Sequence, residues 1–209
     1  MRYAKDHKRQ THNRIVEHAS YGLRQTGAQA LSVPDLMKLA GLTHGGFYSH
    51  FDSRAALVAE AIAFAMDQTI ERLKRLTNES VNQEPFGAVV ADYLSPRHRD
   101  DPERGCALPA LAADIGRSDP RARQAFSRKL DQMIDIMAKT LPEESPQDAR
   151  QIATGAIAAM VGSILLSRAV DSAKASSKIL DAGRKTVGSL GVRKPRSAKA
   201  SVEPNGSLD

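Results

Sequence analysis

The sequence of 209 residues has no tryptophan, a single cysteine and few aromatic residues. One cysteine excludes an internal disulfide bond and fits a reducing compartment. The longest apolar stretch, residues 152–166, is interrupted by polar and glycine residues and is shorter than the roughly 20 residues that cross a bilayer. No apolar segment follows the first basic residues, so we expect no secretory signal peptide. These absences predict a cytoplasmic protein in which residues 152–166 form a buried helix and no part binds a membrane.

Motifs of catalysis and metal binding are also missing. The sequence contains no HExxH, CxxC or GxSxG motif and no glycine-rich phosphate loop after a strand. We therefore expect no enzymatic activity, no cofactor and no bound metal. No stretch alternates as a strand does, whereas alanine, leucine, arginine and aspartate dominate and favour helices. The predicted fold class is all-α, with about nine helices.

The positive charge lies at the two ends of the chain. Of the net charge of +6, residues 1–54 carry +4 and five of the six histidines, residues 55–170 carry −2, and residues 171–209 carry +4. A basic N-terminal part on a near-neutral body is expected of a protein that binds nucleic acid, although an ordinary solvated surface explains the charge equally well. Residues 191–209 contain few apolar side chains, so we predict a basic disordered tail.

Residues 32–54, SVPDLMKLAGLTHGGFYSHFDSR, predict two short helices joined by a glycine turn. Ser32 can cap the first helix, and Asp35 stands three residues later in the position of a capping box. Gly41 stands where a helix ends with a residue of positive φ. The segment therefore reads as a helix, a tight turn and a second helix.

The second short helix, which Thr43 can cap, has one aromatic face. Phe47 and Phe51 lie four residues apart, so they should pack inward together. The small and polar residues around them then face outward. Two short helices that present such a surface are the sequence pattern of a helix-turn-helix.

The segment GLTHGGFYSHFDSRAAL resembles the DNA-binding signature of the tetracycline-repressor (TetR) family of bacterial transcriptional regulators. The shared features are the turn glycine, the pairs Phe47-Tyr48 and His50-Phe51, and Ser53-Arg54 at the start of the next helix. The resemblance is dense over residues 10–62 and weaker over residues 80–190. One departure is Gly46, where the family usually has threonine, serine or alanine.

The resemblance implies which residues contact DNA. His44, Gly45 and Tyr48 match family positions that meet base edges. Gly46, His50 and Arg54 match positions that meet the phosphate backbone. The complete predicted DNA-binding set is Ser32, Thr43, His44, Gly45, Gly46, Tyr48, Ser49, His50 and Arg54. A structural helix pair without DNA contacts is the alternative interpretation, and for His50 a capped carbonyl is a second one.

The resemblance also implies a mechanism and an organisation in three parts. Residues 1–52 would form the helix-turn-helix domain, residues 53–190 an effector-binding and dimerisation domain, and residues 191–209 the tail. The partners would be a palindromic double-stranded DNA operator, a small-molecule effector and a second copy of the chain, joined through helices around 146–169 and 173–190. A long helix from Ser53 to about Asn78 would connect effector and DNA, usually for repression. Activation and a sequence-nonspecific architectural DNA-binding function remain open.

Three further segments carry predictions. A first helix should run from about Lys8 to near Gly27. The basic residues at its start, Arg2, Lys5, Lys8 and Arg9, should reach DNA phosphates or the minor groove, or form a loose charged tail. Residues 95–105, SPRHRDDPERG, should form a solvent-facing charged loop. Cys106 opens a helix after Arg104, and both a helix N-terminus and an arginine stabilise a thiolate, so Cys106 is a candidate redox thiol. Packing as a small apolar residue is the alternative.

Overall fold

The computed structural model describes residues 2–27, 31–79, 84–118, 120–141 and 145–191. Within these ranges the chain forms nine α-helices, two 3-10 helices and no strand, which confirms the all-α prediction. The α-helices are α1 Arg2–Thr26, α2 Val33–Leu39, α3 Arg54–Glu79, α4 Pro85–Tyr93, α5 Pro96–Asp100, α6 Ala107–Gly116, α7 Pro120–Ala138, α8 Pro146–Ala169 and α9 Ala173–Gly188; the 3-10 helices are His44–Ser49 and Ser189–Gly191. The predicted disordered tail lies, from residue 192 onward, outside the described residues.

The first helix is longer than the sequence predicts. α1 begins at Arg2 rather than near Lys8, because a polar segment without helix breakers can continue a helix and an ion pair one turn apart supports it. That pair joins Arg9 Nη2 and Asp6 Oδ1 at 3.4 Å. The predicted end is confirmed, since α1 stops at Thr26 and Gly27 has a φ of 87°.

The N-terminal unit packs α1, α2 and the 3-10 helix His44–Ser49 against the start of α3. Ile15 and Leu23 from α1, Leu36 from α2 and Phe47 from the 3-10 helix are fully buried. These residues come from the apolar faces that the helical spacing predicts. The small core holds the outward face of the 3-10 helix in a fixed position.

The long helix α3 connects this unit to the rest of the molecule. Its start is capped by Ser53, whose Oγ accepts a hydrogen bond from the Ala56 amide at 3.1 Å. The helix packs against α1 on one side and against α4, α6 and α7 on the others. The predicted span of this helix, from Ser53 to about Asn78, is therefore confirmed to within a residue or two.

The predicted buried helix of residues 152–166 is part of the longer helix α8. Only about a third of the residues in the most apolar stretch of α8 are buried. By length and composition alone α8 could cross a membrane, but a core helix of a protein in water passes the same test. One side of α8 packs against α6, α7 and α9. Leu165 and Leu166 on the other side are 46% and 60% exposed. The prediction of a wholly buried helix was wrong, because the apolar composition does not say what covers each face.

The predicted solvent-facing loop of residues 95–105 was also wrong. Pro96–Asp100 forms the short helix α5, capped by Ser95, and His98 is only 4% exposed. The guanidinium of Arg168 in α8 donates to the carbonyl oxygens of Arg99 at 2.8 Å and His98 at 2.7 Å. Arg99 in turn donates to Ser176 of α9 at 3.0 Å. Hydrogen bonds of Arg168 and Arg99 thus attach residues 95–105 to α8 and α9.

Candidate functional site

The start and end of α2 confirm the predicted helix-turn-helix geometry. Ser32 caps α2: its Oγ accepts from the Asp35 amide at 3.4 Å, and the Asp35 carboxylate accepts from the Ser32 amide at 2.9 Å. The Ser32 hydroxyl also donates to this carboxylate, and these bonds lower the pKa of Asp35. Gly41 has a φ of 69°, as a helix-ending glycine should. The Ser32 side chain, predicted to contact DNA, therefore acts in the cap of α2.

The second short helix differs in type from the prediction. Residues His44–Ser49 form a 3-10 helix, which begins with a hydrogen bond from the Gly46 amide to the Thr43 carbonyl at 3.3 Å. The predicted side-chain cap by Thr43 was wrong, since its side chain makes no capping hydrogen bond in the described structure. The Ser49 Oγ donates to the Gly46 carbonyl at 2.7 Å and closes the last turn. We call residues 43–50 the recognition segment.

The outward face of the recognition segment is small and polar. Phe47 and Phe51 are buried with ring centroids 5.7 Å apart, whereas Tyr48 is 72% exposed. A Cβ added to Gly45 would meet nothing within 4 Å, and one added to Gly46 would meet only the Met37 side chain at 3.9 Å. Neither glycine is required by its packing. Both leave the backbone open to close approach from outside.

Thr43, Gly45 and Ser49 are exposed and Gly46 is partly exposed, in agreement with their predicted outward positions. The side chain of His44 lies outside the described part of the structure, as do those of Arg2 and Lys5. The contacts of these residues with DNA stay a prediction.

His50 sits at the end of the recognition segment, where α1 and the segment meet. Its Nδ1 is buried and has no hydrogen-bond partner among the described residues. Desolvation lowers the pKa of His50, and the charges of His12 and Lys8 lower it further. The alternative in which Nδ1 of His50 caps a neighbouring carbonyl is therefore not observed. His12 stacks on Phe51 at 4.5 Å and bonds Glu60 of α3 at 2.7 Å.

Arg54, predicted to reach a phosphate, makes internal hydrogen bonds. Its Nε and Nη2 donate to the Leu31 carbonyl at 3.0 and 2.9 Å. This contact ties the start of α3 to the residue that precedes α2. The structure therefore gives Arg54 a positioning role, and contact with DNA stays a prediction.

The thiol of Cys106 has a different environment from the one predicted. Cys106 does precede α6, and its Sγ accepts from the Leu108 amide at 3.5 Å. However, the side chain is buried, and desolvation raises the pKa of the thiol despite neighbouring hydroxyls from Tyr93 and Thr69. The exposed Arg104 is not among the groups that lower this pKa, whereas the buried Arg24 is. Burial thus has a larger effect on the pKa of the thiol than the helix N-terminus, which favours the packing interpretation of Cys106, and a redox role stays a prediction.

Next to Cys106, His98 is held as a neutral imidazole. Its Nδ1 lies 2.7 Å from the Tyr93 carbonyl, to which it must donate, and its Nε2 accepts from the Cys106 amide at 2.9 Å. A ring that donates from one nitrogen and accepts at the other carries no charge. Burial accordingly lowers the pKa of His98 to about 4.

These residues line an interior cavity of about 40 Å³ between α3, α4 and the segment before α6. Its walls include Thr69, Tyr93, His98 and Cys106, and its rim includes Arg72. The Tyr93 side chain is buried, and its hydroxyl has no hydrogen-bond partner of ordinary geometry among the described residues. Desolvation raises the pKa of Tyr93 well above its usual value, so the hydroxyl keeps its proton.

Arg24 connects this cavity to the N-terminal unit. It is 3% exposed on α1, and its guanidinium donates to the Gly105 carbonyl at 2.9 Å and to Gln68 Oε1 at 2.8 Å. Both acceptors belong to residues that line the cavity. Burial lowers the pKa of Arg24. The sequence carried no signal for this role, because an arginine on a predicted helix is expected to face solvent.

Comparisons with known proteins agree with this geometry. A model of bacterial regulatory proteins of the tetR family matches residues 15–61, and a model of the C-terminal domain of LmrA/YxaF-like transcriptional regulators matches residues 83–181. The chain is 26% identical over 164 residues to an uncharacterized HTH-type transcriptional regulator of Mycobacterium tuberculosis, which covers 74% of this chain and 82% of the relative. It is also 28% identical over 89 residues to the HTH-type transcriptional regulator TtgR of Pseudomonas putida. This match covers 43% of this chain and 42% of that protein.

The fold is shared with solved structures of low sequence identity. A TetR-family regulator from Cytophaga hutchinsonii superposes with a TM-score of 0.72 at 18% identity, over 90% of this chain and 98% of that one. The reduced form of NemR from E. coli superposes with a TM-score of 0.71 at 18% identity, over 86% of this chain and 96% of that one. The helix-turn-helix geometry and the two matched models lead to one conclusion: the chain belongs to the TetR family and is a transcriptional regulator with a DNA-binding helix-turn-helix.

Proposed function

We propose that the protein is a cytoplasmic, ligand-responsive repressor that binds a palindromic operator as a homodimer and is released by a small-molecule effector. The observation that carries the proposal is the outward face of the recognition segment, which is held by a buried aromatic pair and offers an exposed tyrosine and two unobstructed glycines. A rigid element with small and polar groups on its outer side suits the major groove.

The dimer part of the proposal rests on the uncovered face of α8. Gly155 and Gly162 have nothing within 4 Å of an added Cβ, and Leu165 and Leu166 continue the same side of the helix. The adjoining side of the helix is already packed, with Ser163 against Gly183 of α9. Small residues followed by exposed leucines support a second copy of α8 and α9 as the partner. Two recognition segments related by a dyad would read a palindrome.

The effector part rests on the position of α3. This helix carries Arg54 beside the recognition segment at one end and lines the interior cavity near its middle with Thr69. A change of shape at the cavity therefore reaches the recognition segment through one rigid element. About 2.7 kcal/mol of differential binding between two states is enough to weaken operator binding a hundredfold.

Operator binding is the experiment that tests the function. The purified protein would be titrated with DNA from its own upstream intergenic region and with a scrambled duplex, across a salt series. A preference of about 10³ or more for the native sequence supports the regulator. Equal affinities that fall steeply with salt would indicate phosphate contacts alone and favour the architectural alternative.

A pair of glycine variants sharpens this test. Gly45→Asp places a carboxylate on the outer face of the recognition segment, whereas Gly87→Asp places one on the exposed side of α4. A new Cβ meets nothing within 4 Å at either position, so both variants should fold. We expect Gly45→Asp to lose operator affinity by at least about a hundredfold because its charge opposes the phosphates and base edges. Equal affinity of the two variants would refute the recognition surface.

A further inference from the structure

At its inner end the interior cavity combines a weakly engaged hydroxyl donor with uncharged side chains, and the charged side chains of its lining, Arg72, Asp92 and Arg104, belong to its rim. We propose that this cavity is the effector site and that it takes a small uncharged molecule whose oxygen accepts a hydrogen bond from the Tyr93 hydroxyl. The inference rests on the proposed ligand response and specifies the place and the chemical class of the ligand.

The unused donor is the first argument. A buried hydroxyl without a partner is unfavourable, and most buried polar groups in proteins are hydrogen-bonded. Tyr93 is buried, and among the described residues its hydroxyl makes no hydrogen bond of ordinary geometry. Its polar neighbour is the thiol of Cys106, which interacts with the hydroxyl but is only a weak acceptor, so an oxygen would be a better partner. Because the raised pKa keeps the phenol protonated, the hydroxyl is a donor. It is therefore complementary to a ligand oxygen.

The second argument is the lack of charge at the inner end. Both nitrogens of His98 are used in the neutral form, by the Tyr93 carbonyl and the Cys106 amide. Burial raises the pKa of Cys106, so its thiol stays neutral. The nearest buried guanidinium groups, those of Arg24 and Arg168, already donate to protein oxygens. A charged ligand group would therefore find no free counterion there and would lose its hydration. An ester, ketone or similar neutral carbonyl fits, whereas a carboxylate or an amine does not.

The rim does not change this conclusion. Arg72 is held by Asp92 through two hydrogen bonds, Nε to Oδ2 at 2.8 Å and Nη2 to Oδ1 at 2.7 Å. Arg97 adds a third contact to Asp92 at 2.9 Å. The other lining cation, Arg104, lies 3.8 Å from the Asp101 carboxylate, so both cations of the rim have an acidic partner. Leu73, Leu76 and Val89 supply the apolar part of the lining.

Size restricts the ligand further. A volume of about 40 Å³ corresponds to roughly three water molecules at about 10–15 Å³ each. The site therefore suits a molecule of a few non-hydrogen atoms, or the polar end of a longer one that enters from the rim. An occupant would press on the walls formed by Gly105 and Gln68, which are the two residues that Arg24 holds from α1.

The test uses two probes of equal shape and four non-hydrogen atoms each, acetone and isobutene, of which only the first has an accepting oxygen. Each is titrated into the full chain without DNA while NMR follows the Val89 methyl groups and the tyrosine rings. The chain has four tyrosines, so the Tyr93 signal is assigned by its loss in Tyr93→Phe. The control is Tyr48→Phe, because the Tyr48 side chain is 72% exposed on the recognition segment and does not line the cavity.

We expect acetone to give a saturable shift of Tyr93 and Val89 and to bind at least about tenfold more tightly than isobutene. Tyr93→Phe should remove this difference without lowering the melting temperature, and Tyr48→Phe should retain it. Equal binding of the two probes, or no saturable shift, would overturn the proposal and leave the cavity to water or to apolar packing. Since no DNA is present, this titration can fail while operator binding succeeds, and the reverse.

Discussion

Arg24→Met tests whether the contact between α1 and the cavity wall stabilises the protein. The substitution keeps an unbranched side chain of similar length but removes the guanidinium. Three hydrogen bonds disappear, to Ser20 O at 3.2 Å, to Gly105 O at 2.9 Å and to Gln68 Oε1 at 2.8 Å. Only the last two join distant parts of the chain.

The expected loss follows from these two bonds. A hydrogen bond that involves a charged group contributes about 1.5–3 kcal/mol, and the carbonyl of Gly105 would stay buried without its donor. Against this, the guanidinium is itself costly to bury, as its lowered pKa indicates, and methionine does not incur that cost. We therefore expect the free energy of unfolding to fall by about 2–4 kcal/mol rather than by the full sum.

Urea unfolding at pH 7 and one fixed protein concentration measures this difference, since dimerisation would otherwise shift the apparent stability. Arg14→Met is the matched control: Arg14 lies exposed on the same helix, and its loss should change stability by no more than about 0.5 kcal/mol. Arg24→Lys should fall between the two, because lysine keeps the charge but lacks the planar fork that reaches two acceptors. A loss below about 1 kcal/mol for Arg24→Met would refute the reasoning.

Two further predictions concern acid stability and assembly. The pKa of His98 is about 4 in the folded protein and about 6.5 in the unfolded chain, so between these pH values only the unfolded state binds a proton at His98. The free energy of unfolding should therefore be highest above pH 6.5 and fall by about 1 kcal/mol per pH unit as the pH is lowered to 4. Unfolding of His98→Gln across this range should lack that part of the slope, and an unchanged slope would contradict the neutral imidazole. Leu166→Arg, on the exposed side of α8, should convert the dimer to monomer in sedimentation velocity, whereas Leu39→Arg, 43% exposed on α2, should leave the dimer intact. A Leu166→Arg protein that stays dimeric would refute this dimer face.

The features that could be predicted from the sequence are determined within a few residues. The capping box of Ser32 and Asp35, the positive φ of Gly41 and the paired burial of Phe47 and Phe51 were all confirmed. Each depends on backbone geometry or on side chains one helical turn apart. The same local rules did not distinguish a 3-10 helix from an α-helix in the recognition segment, because two adjacent glycines weaken the preference for an α-helix.

The features that could not be predicted depend on partners far away in the chain. Residues 95–105 have the composition of an exposed loop, yet His98 is buried by Tyr93 and Cys106 and held by Arg168 from α8. Arg54 was expected at a phosphate and instead bonds the Leu31 carbonyl. In each case a charged or polar side chain satisfies a backbone group, and no single-sequence pattern shows which carbonyl will need a donor.

The interior arginines explain why one short segment can connect separate parts of the molecule. Arg24 of α1 holds the Gly105 carbonyl, and Arg168 of α8 holds the carbonyls of His98 and Arg99. The segment between these points lines the cavity, and α8 carries the proposed dimer face. Since backbone carbonyls are fixed more rigidly than side chains, a displacement of this segment changes contacts to α1 and to α8 together. Under the proposed mechanism, a ligand in the cavity would need to move only Gly105 or His98 to act on the DNA-binding unit and on the proposed dimer face at once.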